Sequence, residues 1–364
     1  MKKYPPAYYS DYLGLDKLLS SQELLSKKYD SEAHDEMLFI IVHQAYELWF
    51  KQIIHELDSV INMFRHEYID EVNIGIAVSR LARITDIQKL LIEQLRILET
   101  MTSLDFLDFR NFITPASGFQ SFQFRLIENK LGLDPTQRTM LNEKGYRSYF
   151  AEKHQKQLKE SEEQSSLFHL VEKWLERTPF LESEGFNFWE SYKKAVITML
   201  DEDKQTIINN PIISEEKRQK ELNAHENTRE NFRAIFDQDK HDELVHKNLR
   251  RMSFRATHAA LFIHLYRDQP ILQQPFKFLT LLVDIDELMT AWRYRHALMV
   301  LRMIGTKIGT GGTSGHDYLK MTVEKSKVYQ DLFNMATFFI PRSTLPPLPD
   351  DIKKKLGFFY TTQQ

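Results

Sequence analysis

Residues 33–64 constrain this chain more than any other segment. HDEMLFIIVHQAYELWFKQIIHELDSV (34–60) spaces its apolar side chains at helical period and is apolar nearly all round in its first half. It reads as a long helix lying at the centre of the fold. Residues 76–101 carry Val78, Leu81, Ile84, Leu91, Leu95 and Leu98 at the same period, and residues 277–304 form a third long, mostly apolar helix. Glycine supplies only 12 of 364 residues, and no Asn-Gly or Asp-Gly pair marks a hairpin turn. The expected fold is all-α, built as a helical bundle.

The middle of the chain has another character. AEKHQKQLKESEEQSS (151–166) and the stretch from Ser214 to Asn231 are strongly charged. Thr178–Pro179 and Asn210–Pro211 mark helix boundaries between them. Residues 150–250 therefore read as a charged helical excursion within a single catalytic domain spanning 1–364. Four prolines between Pro341 and Pro349 predict an extended surface strap.

Composition narrows the function classes. The 48 basic and 51 acidic side chains leave a net charge of −3, which gives no electrostatic case for nucleic acid or an anionic membrane. Cysteine is absent, which excludes disulfides, thiolate-ligated haem, iron–sulfur clusters and cysteine zinc sites. The N-terminus lacks a continuous apolar signal core, and the run MLFIIV (37–42) is too short to span a bilayer. A cytoplasmic protein with neither membrane nor nucleic-acid partner is the expectation.

Two histidines interrupt apolar helical faces. Phe39, His43, Tyr46 and Phe50 share one side of the first long helix; Met289, Trp292, His296, Met299 and Met303 share one side of the last. A buried imidazole needs a partner. In a cysteine-free helical chain that partner is a haem iron, or else each is an ordinary hydrogen-bonded core histidine. Non-haem metal finds little support, because HExxH is absent and no pair of Glu-x-x-His motifs is arranged for a di-iron bundle. Arg110 sits among Phe106, Phe109 and Phe112. It is either stacked at a surface or buried with an anion, an internal carboxylate or a ligand's. Five of the glycines fall between 305 and 315, directly after the helix of His296. A lid is one reading of that loop and a helix cap with linker the other.

Longer motifs carry a resemblance. YSDYLGLDKLLSSQ (9–22), residues 34–60, LETMTSLDFLDFRNFITPASGFQSFQFRLIENKLG (98–132), LERTPFLESEGFNFWE (175–190) and the WRYRH…GTKIGTGGTSGHDYL stretch (292–319) resemble the tryptophan 2,3-dioxygenase family, in order and over nearly the whole chain. The resemblance implies an all-α haem enzyme, usually a homotetramer. Such an enzyme inserts both atoms of O2 across the indole C2–C3 bond of L-tryptophan to give N-formylkynurenine, the first step of tryptophan catabolism by the kynurenine route. The cofactor implied is haem b, with ferrous iron in the active form.

By motif position, His296 matches the axial haem ligand and His43 the distal histidine that faces the indole N–H. Phe39 and Phe106 match pocket aromatics, Arg110 the carboxylate clamp, and Ser117 a hydroxyl near haem and substrate. Thr310 matches a contact to the amino-acid end of the substrate. Tyr9 and Tyr12, in an arm spanning residues 1–20, match tyrosines that complete a neighbouring subunit's site. Ile113 stands where leucine is common, a volume-conserving change. These assignments suit the residues themselves: an apolar pocket for indole, and a buried arginine without an internal partner for a carboxylate. The rivals are a non-catalytic haem-based sensor of O2 or indole, which needs His296 but not Arg110, Thr310 and the tyrosine arm together, and a cofactor-free helical interaction module, which leaves His296 unexplained.

Overall fold

The structure, a computed structural model, describes residues 4–134, 138, 145–179, 182–183, 186–307, 309 and 315–358. Three short helices lead in: α1 (Tyr9–Leu13), α2 (Leu15–Leu19) and α3 (Leu25–Lys28). The long α4 (Glu36–Phe64) and α5 (Glu71–Leu98) follow, then α6 (Ser103–Ile113) and α7 (Phe122–Leu131). The charged middle holds α8 (Glu152–Glu163), α9 (Leu167–Glu176), α10 (Phe188–Ile208), α11 (Glu215–Phe236) and α12 (Gln238–His246). α13 (Phe254–Leu265) precedes the longest helix, α14 (Pro270–Ile304). α15 (Gly315–Lys325), α16 (Gln330–Phe333) and α17 (Asp350–Leu356) close the chain. Strand pairing among the described residues is limited to Glu182–Ser183 against Phe186–Asn187. The fold is all-α, as expected.

Helix starts follow their local chemistry. Asp70 caps α5 by accepting from Asn73 N at 2.7 Å. Thr102 and Asp105 form a reciprocal box at the start of α6, and Ser166, Ser214 and Ser253 cap α9, α11 and α13. α14 begins at Pro270 rather than at 277, because a proline in the first turn gives up an N–H that has no helical partner there.

α5 packs against both α4 and α14, whereas α4 and α14 barely meet at the backbone. The buried seam draws Ile53, Leu57, Val60 and Phe64 from α4, Ala77, Leu81, Ile84 and Leu95 from α5, and Phe278, Leu279, Leu282 and Ile285 from α14. Polar ties set the register of the three. Tyr46 Oη donates to Leu91 O at 2.5 Å, Gln94 Nε2 to Val42 O at 3.2 Å, and Gln88 Nε2 to Ile285 O at 3.3 Å. Within the charged middle, α9 contributes Leu167, Phe168, Leu170, Val171 and Leu175 to this same core.

The first half of α4 differs from its expected burial. Met37, Ile41 and Leu48 are 37%, 49% and 51% exposed, while the second half carries most of the helix's buried side chains. The helix is central through its second half. The apolar strip of its first half meets no covering element among the described residues.

Leu57 is fully buried where α4 meets the core. Leu57→Ala should cost about 2–5 kcal/mol in unfolding free energy. Denaturant titration of the variant against the parent measures it, and a loss below about 1 kcal/mol would contradict a close-packed seam.

Candidate active site

The distal half of the site is built on α4 and α6. His43 and Phe39 are one turn apart on α4, with ring centroids at 4.1 Å. The Nδ1–H of His43 donates to the carbonyl of Phe39 at 2.7 Å. That bond assigns the neutral tautomer and leaves Nε2 as an acceptor. The capping box at Thr102 sets the phase of α6 so that Phe106 and Phe109 are buried. Phe106 lies 5.8 Å and Phe109 5.4 Å from the Phe39 ring, and the two α6 rings meet edge-on at 5.4 Å. The result is an aromatic wall beside His43.

The other half is on α14. Trp292 stacks on His296 with centroids 5.1 Å apart and planes 3° from parallel. Trp292 is itself held by Tyr46 at 6.1 Å and Phe124 at 5.2 Å. No described residue makes a hydrogen bond to the His296 imidazole. Each histidine keeps some accessible surface, yet burial dominates its titration. Burial, then the nearby charges of His43 and Arg293, lowers the His296 pKa to about 4. His43 is also lowered by burial, against the opposing effects of the Phe39 carbonyl and Glu47. The fold thus brings together two histidines 253 positions apart (296 − 43), close enough that charge on one disfavours charge on the other. Both are neutral near pH 7.

The remaining expected residues fall as follows. Arg110, near the end of α6, is half-buried and is not without a partner. The expectation of a buried, unpartnered arginine therefore does not hold, because the last turn of α6 lies at the edge of the core. Ile113 packs against the core from that same turn. Ser117 Oγ accepts from Phe119 N at 3.4 Å while Ser117 N donates to Gln120 Oε1 at 3.3 Å, so this serine caps the turn that leads into α7. Tyr9 and Tyr12 on α1 are 76% and 80% exposed. Thr310 lies outside the described residues, as does much of the glycine loop; Gly305 ends α14 at φ +60, where a side chain would be strained.

Sequence reasoning passed over α7. Gln123 Nε2 donates to Glu47 O at 2.7 Å and to Glu47 Oε2 at 2.8 Å, one turn beyond His43 on α4. Glu128, buried, pairs with Arg125 at 2.8 Å and with Arg293 of α14 at 2.5 Å, with Arg138 at 3.8 Å. Burial raises the Glu128 pKa and the three guanidiniums outweigh it, holding the carboxyl down at about 2. The spacing Arg293–His296 was the available signal, since it puts both on one side of the helix.

The pattern shared by the tryptophan 2,3-dioxygenase family matches residues 3–339. The chain is 53% identical over 358 residues to the tryptophan 2,3-dioxygenase of Bdellovibrio bacteriovorus, covering 98% of this chain and 100% of that one. It is 49% identical over 355 residues to that of Dictyostelium discoideum, covering 97% and 89%, and 48% identical over 357 residues to that of Xenopus tropicalis, covering 98% and 87%. The chain belongs to the tryptophan 2,3-dioxygenase family.

Membership in the tryptophan 2,3-dioxygenase family makes the fit of a haem the decisive question for the site. A neutral, desolvated imidazole on an apolar helix face, free of hydrogen bonds to described residues and clamped flat by Trp292, has the donor chemistry of an axial iron ligand. No group of three His, Cys, Asp or Glu side chains among the described residues could hold a bare metal ion. The residues present fit a haem. A groove of about 590 Å³ between α10, α11 and α12 contains none of the site residues and is not where this chemistry sits. None of the described helices is long and apolar enough to cross a membrane.

A lowered imidazole pKa has a stability consequence of fixed sign. Between the ordinary value of 6.5 and the folded value of about 4, the unfolded chain binds more protons at His296 than the folded chain does. The cofactor-free protein should therefore lose stability as pH falls across that window, and His296→Leu should lose less. Thermal melts at pH 7, 5.5 and 4 compare them; equal pH dependence in both proteins would contradict a buried neutral imidazole.

Proposed function

We propose that this protein is a haem-dependent tryptophan 2,3-dioxygenase that cleaves the indole C2–C3 bond of L-tryptophan with O2 to give N-formylkynurenine, acting in the cytoplasm as a homotetramer. The observation that carries the reading is His43 packed on the Phe39–Phe106–Phe109 wall of α4 and α6, with His296 stacked on Trp292 of α14, which the Tyr46 ring of α4 contacts. Names and full-length matches of the relatives favour turnover over a sensor role.

Haem b with ferrous iron would supply the binding and activation of O2 that no side chain of this chain can provide. His296 would hold the iron through a ring nitrogen, with Trp292 fixing the plane of the imidazole. Phe39 and Phe106 offer the indole an apolar surface and exclude water, and Ile113 extends it. His43 receives the indole N–H: its own Nδ1 proton is committed to Phe39 O, which leaves Nε2 to accept. Its lowered pKa makes it a weak base, poorly matched to removing so weakly acidic a proton. Orientation is its role.

Arg110 pairs with the substrate carboxylate, and Thr310 contacts the amino-acid end. Ser117 serves the same rim as a hydroxyl whose loop is already capped. Tyr9 and Tyr12 act in a neighbouring subunit's site. Their support is exposure: Tyr4, Tyr8, Tyr9 and Tyr12 are all at least 70% exposed, which is unusual for four aromatics in one arm unless a partner covers them.

Anaerobic reduction of the haem-loaded protein, then L-tryptophan and isotopically labelled O2, tests the proposal. The product should be N-formylkynurenine with both labels retained. Haem loading without tryptophan consumption would restore the sensor. In the same assay, Arg110→Ala should weaken tryptophan binding by about 2 kcal/mol, roughly thirty-fold in Kd. Tryptamine should be a poor substrate, and equal efficiency for tryptamine and tryptophan would remove Arg110 from the carboxylate.

The orienting role of His43 has its own check. His43→Ser should retain slow turnover of tryptophan and should accept 1-methyltryptophan better than the parent does, because the imidazole no longer meets the methyl group. A variant that binds haem, tryptophan and O2 yet turns over neither compound would make His43 an obligatory base.

A further inference from the structure

α7 touches both halves of the site without supplying a residue to either. At one end, Gln123 clamps the backbone and side chain of Glu47, four residues beyond His43 on α4. At the other, Glu128 pairs with Arg293, three residues before His296 on α14. Between them, the Phe124 ring packs on Phe50 of α4 at 5.5 Å and on Trp292 of α14 at 5.2 Å, and the Arg293 guanidinium lies over the same ring at 5.0 Å. α4 and α14 make almost no direct backbone contact and meet through side chains, Tyr46 against Trp292 at 6.1 Å. On the seam side α5 bridges them. On the side of the histidines α7 packs along α4 and reaches α14 through the side chains of Phe124 and Glu128.

We infer that α7 is a brace that sets the spacing and rotation of the two histidine-bearing helices, and that Gln123 and Glu128 are the positioning residues at its ends. The inference rests on the proposed function for what the histidines hold, and not for the geometry itself. Glu128 suits the task because its carboxylate is 2% exposed and cannot exchange Arg293 for water. Arg293 suits it because its planar guanidinium meets Glu128 Oε1 through one terminal nitrogen while it lies over the Phe124 ring, which fixes its direction as well as its distance. Arg125 and Arg138 hold the other face of the carboxylate and keep it from following Arg293 if α14 rotates. A brace of this kind acts through His43 and His296 and never meets the substrate.

Two readouts test it, one of them independent of haem. The chain has no cysteine, so spin labels can be placed cleanly at Lys51→Cys on α4 and Glu287→Cys on α14, with labelled chain diluted into unlabelled chain. Pulsed dipolar spectroscopy on the cofactor-free protein should give one narrow distance in the parent. Glu128→Gln and Gln123→Met should each broaden or displace it. In haem-loaded protein, Glu128→Gln should lose haem on the order of tenfold faster than the parent, the scale expected for residues that orient a ligand. Its ferric–ferrous potential should rise, because the carboxylate that balances Arg293, whose charge acts on His296, is gone. Adding Arg293→Met should bring the potential back toward the parent value.

If Glu128→Gln fails to fold, Arg293→Lys takes its place: it keeps the charge and loses the planar group that lies over Phe124, and should broaden the same distance. Variants that melt earlier yet keep the parent's distance distribution and rate of haem loss would overturn the brace and leave α7 a stabilising element only. A parent that takes up no haem would count against the proposed function; the distance measurement would still decide the brace.

Discussion

The site depends on α5 holding both α4 and α14 while those two helices stay apart. Burial of leucine-sized side chains on that seam contributes roughly 1.5–3 kcal/mol each, against about 1 kcal/mol for a neutral hydrogen bond. Leu57, Leu81, Leu279 and Leu282 are all fully buried there. Apolar packing therefore decides that the three helices associate. The ties from Tyr46, Gln88 and Gln94 decide in which register they do so. With the register set, Phe39 and His43 on α4 and Trp292 and His296 on α14 come to a common place.

The same low-polarity interior has opposite effects on its ionisable groups. Burial disfavours charge on His43 and His296, and the Arg293 guanidinium reinforces it at His296. The imidazoles stay neutral, which suits the iron-ligand and hydrogen-bond-acceptor roles proposed for them. Burial disfavours charge on Glu128 as well, but three guanidiniums converge on it and outweigh that cost. A buried ion pair of this kind is poor evidence of net stability, since an apolar replacement of the same volume is often as stable. What it provides is direction, because Arg293 holds one carboxylate oxygen while Arg125 and Arg138 hold the other.

The outer surface of one chain is unfinished in a consistent way. The tyrosines of the N-terminal arm are exposed, and so are Met37, Ile41 and Leu48 on α4 and Tyr294 and Leu298 on α14. The two histidine-bearing helices thus each present apolar side chains outward as well as inward. Scattered exposed leucines are ordinary; apolar residues repeated along one helix, together with an exposed aromatic arm, suit the assembly proposed above.

Much of the fold was legible in the sequence because its determinants are local. Helical period specifies where α4, α5 and α14 run, with their ends falling within about seven residues of the expected ones, and the 3.6-residue phase puts His43 with Phe39 and His296 with Trp292 on single faces. The family motifs identified the same histidines from the residues around them. Phase also made Arg293 a neighbour of His296. It could not say that Arg293 turns inward to Glu128, 165 positions away, while Arg295, two residues on, turns out to Glu99. Nor could it say that Arg110 would be half-buried with a partner, or that the first half of α4 would keep an uncovered apolar strip. Those outcomes depend on how finished helices dock. A helix forms from interactions within a few residues of each other; the partner of a buried charge is chosen only when two distant surfaces have packed.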